Sequence, residues 1–431
     1  SGASAPPRRA AGELRLRIRE RLLDELAEGG RSEVRAQRLR DALNGLDTAH
    51  IGTIHSFSDR LLRLRPVEAR LSPRYEVVED TEDLHRETFA VLMGAAQSGT
   101  LAGLLEGTQE VGLAAEAERT LLDAVVAGVR VETQEGEWQR KAGLDALVAE
   151  MILHRDHPPR SPSVPDPDLD ALREFANELA GWVRAVDGGS RGVRYLRRLG
   201  RAVADARNLR DPVEILRALA PFRQVPVLQK KEHFGNDAEA WRAYNAFRGD
   251  KTKNPARPTP LRDDLFGPLD RWLASRLVRL FTIVTRVYER VKARHRAVDQ
   301  VDLLEKLRDL LRDEPGVRAG YQARFDHILV DEFQDTDPLQ AEIILYLCEE
   351  GAGARDWREV RLASGKLTVV GDPKQSIYRF RRADIAMYDD VRALVRRGPH
   401  LVVRLSANFR SVPSLVGWFN DRFEEILGTA P

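Results

Sequence analysis

The sequence ILVDEFQDTDPLQ, residues 328–340, carries the strongest indication of the fold of this chain. Three apolar residues run directly into the acidic pair Asp331 and Glu332. A short, continuous apolar run predicts a buried strand of a parallel sheet, and carboxylates after such a strand lie where open α/β sheets bind ligands. In nucleotide-hydrolysing proteins one acid there holds Mg²⁺ and the next activates water. The alternative is a strand that simply ends in polar residues.

A second strand and turn are predicted in LTVVGDPKQSIYRFRRADI, residues 367–385. Leu367 to Val370 is the strand, and the Gly-Asp-Pro that follows is a turn. Gln375 then lies just past the strand end, where a neutral amide can hydrogen-bond both water and a phosphate oxygen. The arginines and aromatic residues after it suit single-stranded nucleic acid, because rings stack on bases and guanidiniums neutralise phosphates. Core aromatics beside solvated arginines are the alternative.

Two further segments follow the same logic. HLVVRLSANFRS, residues 400–411, predicts a strand over 401–405 and a loop in which Arg410 can stabilise charge on a phosphoryl group; an ordinary surface arginine is the alternative. HIGTIHSFSDRLLR, residues 50–63, predicts a β-like run over 50–54 and then a helix. Hydroxyls and an imidazole at that junction suit a phosphodiester backbone, whereas a capping or core histidine is the alternative.

Composition limits the class of protein. The chain has 431 residues, 42% of them hydrophobic, which is enough for two or three domains with a substantial core. Its net charge of +1 means that affinity for nucleic acid must come from local patches. A single cysteine, Cys348, excludes internal disulfides and favours a reducing compartment, and no apolar run is long enough to cross a membrane. We therefore predict a cytoplasmic protein.

The order TIHSF, VDEFQDTDPLQ, VGDPKQSIYRFR and LSANFRS resembles the motifs of superfamily 1 UvrD/Rep DNA helicases. The wording is most similar to the RecB/AddA branch, the motor subunits of helicase–nuclease complexes. RAAGELRLRIRERL, residues 9–22, resembles the family's AAxEMRxR segment. VDQVDLL, residues 298–304, resembles its LDFDDLL, with Gln300 where the family has an aromatic residue.

The resemblance implies a role for each matching residue. Asp331 would bind Mg²⁺ and Glu332 would activate water. Gln334 and Gln375 would couple the terminal phosphate of ATP to DNA. Arg410 would contact that phosphate, and Phe409 would lie against the adenine. The residues that would contact DNA are Thr53, His55, Ser56, Phe57, Tyr378, Phe380 and Arg381.

The same resemblance implies an α/β fold, a RecA-like parallel-sheet motor domain truncated at its N-terminus, with a large and mostly helical insertion. We predict that residues 1–85 and 286–431 form the motor domain 1A and that residues 86–285 form the insertion, domain 1B. Helical spacing is visible in the insertion at 113–129, 169–186 and 213–219, and a long helix at 269–297 would lead back to the motor domain.

One departure from the family stands out. Its ATP site needs the phosphate-binding sequence G-x-x-x-x-G-K-[ST], which does not occur in this chain. We therefore expect an internal part of a longer ATP- and Mg²⁺-dependent 3′–5′ helicase, inactive by itself, that acts in double-strand break repair. Its expected partners are single-stranded DNA, single-strand/duplex junctions and a helicase–nuclease subunit. A non-catalytic DNA-binding scaffold and an unrelated nucleotide-binding module are the alternatives.

Overall fold

The computed structural model describes residues 7–28, 32–126, 131–133, 140–156, 189–223, 225–226, 228, 230–235, 237–248, 261–377 and 385–427, with a few single residues between 158 and 181. The chain divides into two compact units. One unit, called here the sheet unit, contains residues 1–70 and 303–431. The other, called the helical unit, contains residues 71–302.

The elements of the sheet unit lie at the two ends of the chain. Its first part consists of the helices α1 Pro7–Ala27, α2 Glu33–Gly45 and α3 Ile54–Leu64. The helical unit follows and consists of β1 Glu76–Val77, α4 Glu82–Ser98, α5 Leu101–Leu104, α6 Ala114–Val126, β2 Val131–Thr133, β3 Arg140–Ala142, α7 Leu144–Leu153, α8 Arg191–Ala206, α9 Pro212–Leu219, α10 Ala238–Arg248, α11 Leu261–Val278, α12 Phe281–His295 and β4 Ala297–Val298. The chain then continues through α13 Gln300–Asp313, α14 Pro315–Gln322, β5 Ile328–Val330, α15 Pro338–Cys348, β6 Leu367–Val369, α16 Ile385–Val395 and α17 Pro413–Leu427.

The chain is mostly helical with small parallel sheets. β5 pairs in parallel with β6, and β1 pairs in parallel with β4, while β2 and β3 form an antiparallel pair. Within the described ranges, none of the helices has both the length and the apolar character that a membrane crossing requires. The unit boundaries at 70/71 and 302/303 differ from the predicted domain boundaries at 85/86 and 285/286, because α4 and α12 pack against each other inside the helical unit.

α15 is the central helix of the sheet unit. Asp337 caps it by accepting a hydrogen bond from the Gln340 N–H at 2.8 Å, and Pro338 occupies its first turn, where no backbone donor is needed. Nearly every residue that follows is buried, including Cys348 at its end. Burial raises the pKa of the Cys348 thiol to about 12, so this cysteine is an apolar core residue and not a reactive thiol.

The predicted helices at 113–129 and 213–219 are confirmed as α6 and α9, whereas the helix predicted at 169–186 lies outside the described residues apart from isolated positions. The single helix predicted at 269–297 is wrong, because the chain forms α11 and α12 with a break at Arg279 and Leu280. At the break, both N–H groups donate to carbonyls three residues back, at 3.2 and 2.9 Å. This tighter pattern ends α11, although the apolar spacing runs on through the break.

The strands predicted just before the acidic pair and just before the Gly-Asp-Pro turn are confirmed as β5 and β6, and they are parallel. The burial predicted for the first of these strands is wrong. Leu329, in the middle of β5, is 75% exposed, and its neighbours are only half-buried. Among the described residues, β5 and β6 pair only with each other.

A buried group of charges lies inside the helical unit. Arg155 donates to Asp299 at 2.5 Å and to Asp302 at 3.0 Å, and Lys292 donates to Asp302 at 2.5 Å. All four side chains are at most 6% exposed. Burial opposes ionisation of Asp299, but Arg155 and then Lys292 outweigh it and lower its pKa to about 2. Asp299 therefore stays charged at neutral pH, whereas burial raises the pKa of Asp302, and each charge depends on its partners.

Replacing Arg155 with methionine should destabilise the protein by about 3–5 kcal/mol, because it leaves an uncompensated buried carboxylate. Urea unfolding followed by tryptophan fluorescence measures this change. Arg86→Met is the control, since the Arg86 side chain is 69% exposed and its ion pairs contribute less than about 1 kcal/mol. Equal, small losses for the two variants would contradict a structural role for the buried group.

Candidate functional site

The site is built on the parallel pairing of β5 and β6. Ile328 N–H donates to the Lys366 carbonyl and Val370 N–H donates to the Val330 carbonyl, both at 2.8 Å. The ladder continues past the strand end, where Phe333 N–H donates to the Val370 carbonyl at 3.0 Å. Because the register is fixed, the two segments that follow the strands start side by side, as ligand-binding segments do in α/β sheets.

The acidic pair lies directly after β5. Asp331 and Glu332 are both exposed, and the Glu332 N–H donates to Asp331 Oδ1 at 3.0 Å. Glu332 has φ 51° and ψ 41°, the left-handed conformation that is uncommon for residues other than glycine. A 3₁₀ turn, Phe333–Asp335, follows it. A strained residue of this kind marks a candidate functional position, since the surrounding structure must hold it there.

Gln334 connects the segment after β5 to the segment after β6. Its side chain is buried, at 2% exposure. Its Nε2 donates to Glu332 Oε2 at 2.5 Å, and its Oε1 accepts from the Asp372 N–H at 3.0 Å. A Cβ atom on Gly371 would lie 2.8 Å from that Oε1, so glycine is what allows the second segment to approach Gln334.

Gln375 lies in the 3₁₀ turn Pro373–Gln375, just past β6 as predicted. Its Nε2 donates to Asp372 Oδ2, while Asp372 Oδ1 accepts from the Lys374 N–H, both at 3.0 Å. The hydrogen bond from Gln375, and then that from Lys374, lowers the pKa of Asp372. Asp335 shows the opposite effect, since burial and then the charge of Glu332 raise its pKa.

The predicted β-like run at 50–54 is wrong, because the chain is irregular there and α3 begins at Ile54. Thr53 caps α3 by accepting from the Ser56 N–H at 3.2 Å. The Thr53 hydroxyl gives a hydrogen-bond acceptor to an otherwise unpaired N–H of the first helical turn. This favours a helix start over the strand that the β-branched residues indicated. Ser56 is exposed, while burial of His55 lowers its pKa, so this imidazole is neutral at neutral pH.

Phe57, the last member of that predicted DNA-binding group, is half-buried. Its ring lies 5.1 Å from His50 and 5.3 Å from Phe325, which precedes β5. His50 also lies close to Ser56, with 3.4 Å between His50 Nε2 and Ser56 Oγ. The polar start of α3 and the chain leading into β5 are therefore in contact through aromatic rings.

The strand predicted at 401–405 is wrong. The segment has no strand pairing, and its leucines and valines are 57–85% exposed. A strand needs a neighbour for its backbone hydrogen bonds, and the described residues provide none here. The segment ends in a turn in which Asn408 Oδ1 accepts from the N–H groups of Arg410 and Ser411. Arg410 is exposed, and Phe409 is 96% exposed.

Three predicted residues, Tyr378, Phe380 and Arg381, lie outside the described residues. Conversely, the structure adds residues that sequence reasoning did not single out. Asp372 and Gly371 were read only as a turn, and His50 only as the start of a strand. These residues matter because of contacts between segments that are distant in the chain, and a local sequence pattern does not predict such contacts.

Acids follow one parallel strand and an amide follows its neighbour, which is the arrangement in which open α/β sheets bind ligands. Residues 7–395 match the model of the UvrD/REP helicase N-terminal domain. The chain therefore belongs to the UvrD/REP helicase family, as the motif order predicted.

Proteins similar to this chain bear names that agree with the family. Over 94% of the chain it is 26% identical to the RecBCD enzyme subunit RecB of Escherichia coli K12. Over 97% it is 28% identical to an ATP-dependent helicase/nuclease subunit of Geobacillus kaustophilus and 24% identical to its namesake of Streptococcus equi subsp. zooepidemicus. The chain spans about a third of the length of these relatives, at 31%, 35% and 34% respectively.

Replacing Gly371 with alanine should destabilise the protein by about 1–3 kcal/mol, because the new methyl group would press on Gln334 Oε1. Gly353→Ala is the matched control in the same unit, since a Cβ there meets nothing within 4 Å. Thermal unfolding of both variants measures the difference. If both changed the melting temperature equally, the close approach at Gly371 would be refuted.

Proposed function

We propose that the natural full-length protein is an ATP-dependent 3′–5′ DNA helicase of the UvrD/RecB/AddA type that acts in double-strand break repair and recombination. The sheet unit would be part of a RecA-like motor domain 1A, and the helical unit would correspond largely to the inserted domain 1B. The observation that carries the proposal is the joining of Glu332 and Gln375, which follow adjacent parallel strands, through Gln334 and Asp372.

Asp331 is the proposed Mg²⁺ ligand. Mg²⁺ is usually bound through one or two carboxylates together with substrate phosphates, and the exposed carboxylate of Asp331 after β5 is a donor of this kind. A bound Mg²⁺ would neutralise charge on the phosphate oxygens.

Glu332 is the proposed general base, because its exposed carboxylate can accept a proton from the attacking water. Gln375, also exposed, is proposed to respond to the terminal phosphate. Arg410 is proposed to contact that phosphate and Phe409 the adenine, and their exposure leaves both side chains accessible to a nucleotide.

The DNA-binding residues are proposed to be Thr53, His55, Ser56, Phe57, Tyr378, Phe380 and Arg381. The exposed hydroxyls of Thr53 and Ser56 at the start of α3 support this for the phosphodiester backbone. The proposed partners are single-stranded DNA, single-strand/duplex junctions and a helicase–nuclease subunit, and the proposed location is the cytoplasm.

The 431 residues by themselves are proposed to be inactive, since they contain no G-x-x-x-x-G-K-[ST] sequence to hold the phosphates. A second candidate function, a DNA-binding scaffold without catalysis, is favoured by that same absence. The acid, amide and hydrogen-bonded path around Gln334 favour the motor, because a scaffold needs none of them.

Glu332→Gln in the natural full-length protein should reduce ATP hydrolysis by at least about 100-fold while leaving ATP binding intact, because the amide cannot accept a proton. Steady-state turnover and binding of a fluorescent ATP analogue measure the two effects. Glu359→Gln is the control, being an exposed glutamate of the same unit outside the site. Unchanged turnover in Glu332→Gln would exclude the assigned base and favour the scaffold.

Replacing Tyr378 and Phe380 together with alanine should weaken binding of single-stranded DNA by about 1–3 kcal/mol for each lost stacking contact. Fluorescence anisotropy with a labelled oligonucleotide measures the affinity. Phe423→Ala removes another exposed ring, 49% accessible, and should leave affinity unchanged. An unaltered affinity in the double variant would assign the two rings to the core.

A further inference from the structure

The proposed base and the proposed phosphate-sensing residue are joined by a continuous hydrogen-bonded path. Glu332 accepts from Gln334 at 2.5 Å, Gln334 accepts from the Asp372 N–H at 3.0 Å, and Asp372 accepts from Gln375 at 3.0 Å. A further bond runs from Ser376 Oγ to the Gln334 carbonyl at 3.2 Å. The two segments are therefore tied together at Gln334 by both its side chain and its backbone.

The chemistry of the two neighbours fixes the orientation of the Gln334 amide. A carboxylate of Glu332 can only accept, and the backbone N–H of Asp372 can only donate. The amide must therefore present its NH₂ to Glu332 and its oxygen to Asp372. If the Gln334 amide were rotated by 180°, its oxygen would face the Glu332 carboxylate and its NH₂ group would face the Asp372 N–H, so neither hydrogen bond could form. Glutamate at this position would lack the donor that Glu332 requires.

Burial excludes a direct contact between Gln334 and a nucleotide in this arrangement. The side chain is 2% exposed, and both of its polar atoms already have partners. The family resemblance implied that Gln334 couples the terminal phosphate to DNA, and that coupling would then run through its neighbours. Its neighbours on the path, Glu332 and Gln375, are the exposed members that can meet a substrate.

Glu332 also needs a support of this kind. Its left-handed backbone is strained for a residue other than glycine, so neighbouring bonds must hold it in place. The N–H of Glu332 binds Asp331, and its carbonyl accepts from the Asp335 N–H at 2.9 Å. Within the described part of the chain, the carboxylate itself is held by the bond from Gln334.

We infer that Gln334 is a positioning residue, which aims the Glu332 carboxylate and links its position to Gln375 through Asp372. The inference rests on the proposed function and deepens it. If Gln375 changed its hydrogen-bond partner, Asp372 and the 371–372 backbone would shift. That shift would move Gln334 and the Glu332 carboxylate to which it is bonded. Gln334 touches no substrate and acts only through its neighbours.

The test uses the natural full-length protein and the variants Gln334→Leu, Gln375→Ala and their combination. Gln334→Leu should lower kcat for ATP hydrolysis about 10- to 100-fold while the nucleotide Kd changes less than about twofold, because an aimed base acts on the chemical step. The combined variant should lose no more than about what the worse single variant loses, since the two residues act along one path.

Gln340→Glu is the control, because Gln340 lies in the first turn of α15, where an acid is well tolerated, and outside the path. If Gln334→Leu does not fold, Asp372→Ala takes its place, since it cuts the path at a partly exposed side chain. It removes the Asp372–Gln375 bond and keeps the N–H that holds Gln334, so it should lower kcat as Gln375→Ala does, and combining the two should cause no further loss.

The outcomes separate this inference from the proposed function. Loss of hydrolysis in Glu332→Gln together with normal kcat in the path variants would overturn the positioning role alone. Losses that multiply in the combined variant would overturn the path. Normal hydrolysis in Glu332→Gln would instead contradict the proposed function on which both depend.

Discussion

The backbone hydrogen bond from Val370 to Val330, with its neighbours in the β5–β6 ladder, is the constraint on which the site depends. It fixes the register of two short parallel strands and so brings together segments separated by nearly forty residues. A shift of register by one residue would turn every side chain to the other face. Gln334 then joins the two segments beyond the strands, and Gly371 leaves room for it.

The helical unit is stabilised by different interactions, namely a buried group of charges and an apolar core. Its buried group of charges ties Arg155, at the end of α7, to the acids at the start of α13, while a large apolar core surrounds α12. Such a group adds little net stability compared with apolar packing, but it specifies one arrangement, because any mismatch leaves a charge without its partner. Asp299 and Asp302 lie in the segment that resembles the family's LDFDDLL. The structure thus gives that segment a physical role within this unit.

The sequence predicted what depends on local pattern. The strands after which the acids and Gln375 lie, the helix at α3 and the family all followed from short apolar runs and motif order. It failed where the outcome depends on neighbours. Leu401 to Leu405 reads as a strand, yet no described strand pairs with it, and Leu329 lies exposed in a run that reads as buried. The bonds of Gln334 to Glu332 and Asp372 could not be predicted, because they join distant segments through one buried amide.

The central claim is that the sheet edge after β5 and β6 is a Mg²⁺–nucleotide site of a helicase motor. Anomalous diffraction from crystals of the natural full-length protein with Mn²⁺ and a non-hydrolysable ATP analogue tests it most directly. A metal peak within coordinating distance of an Asp331 carboxylate oxygen, next to the terminal phosphates, is expected. A nucleotide-bound metal far from Asp331 and Glu332, or no nucleotide at this edge, would contradict it.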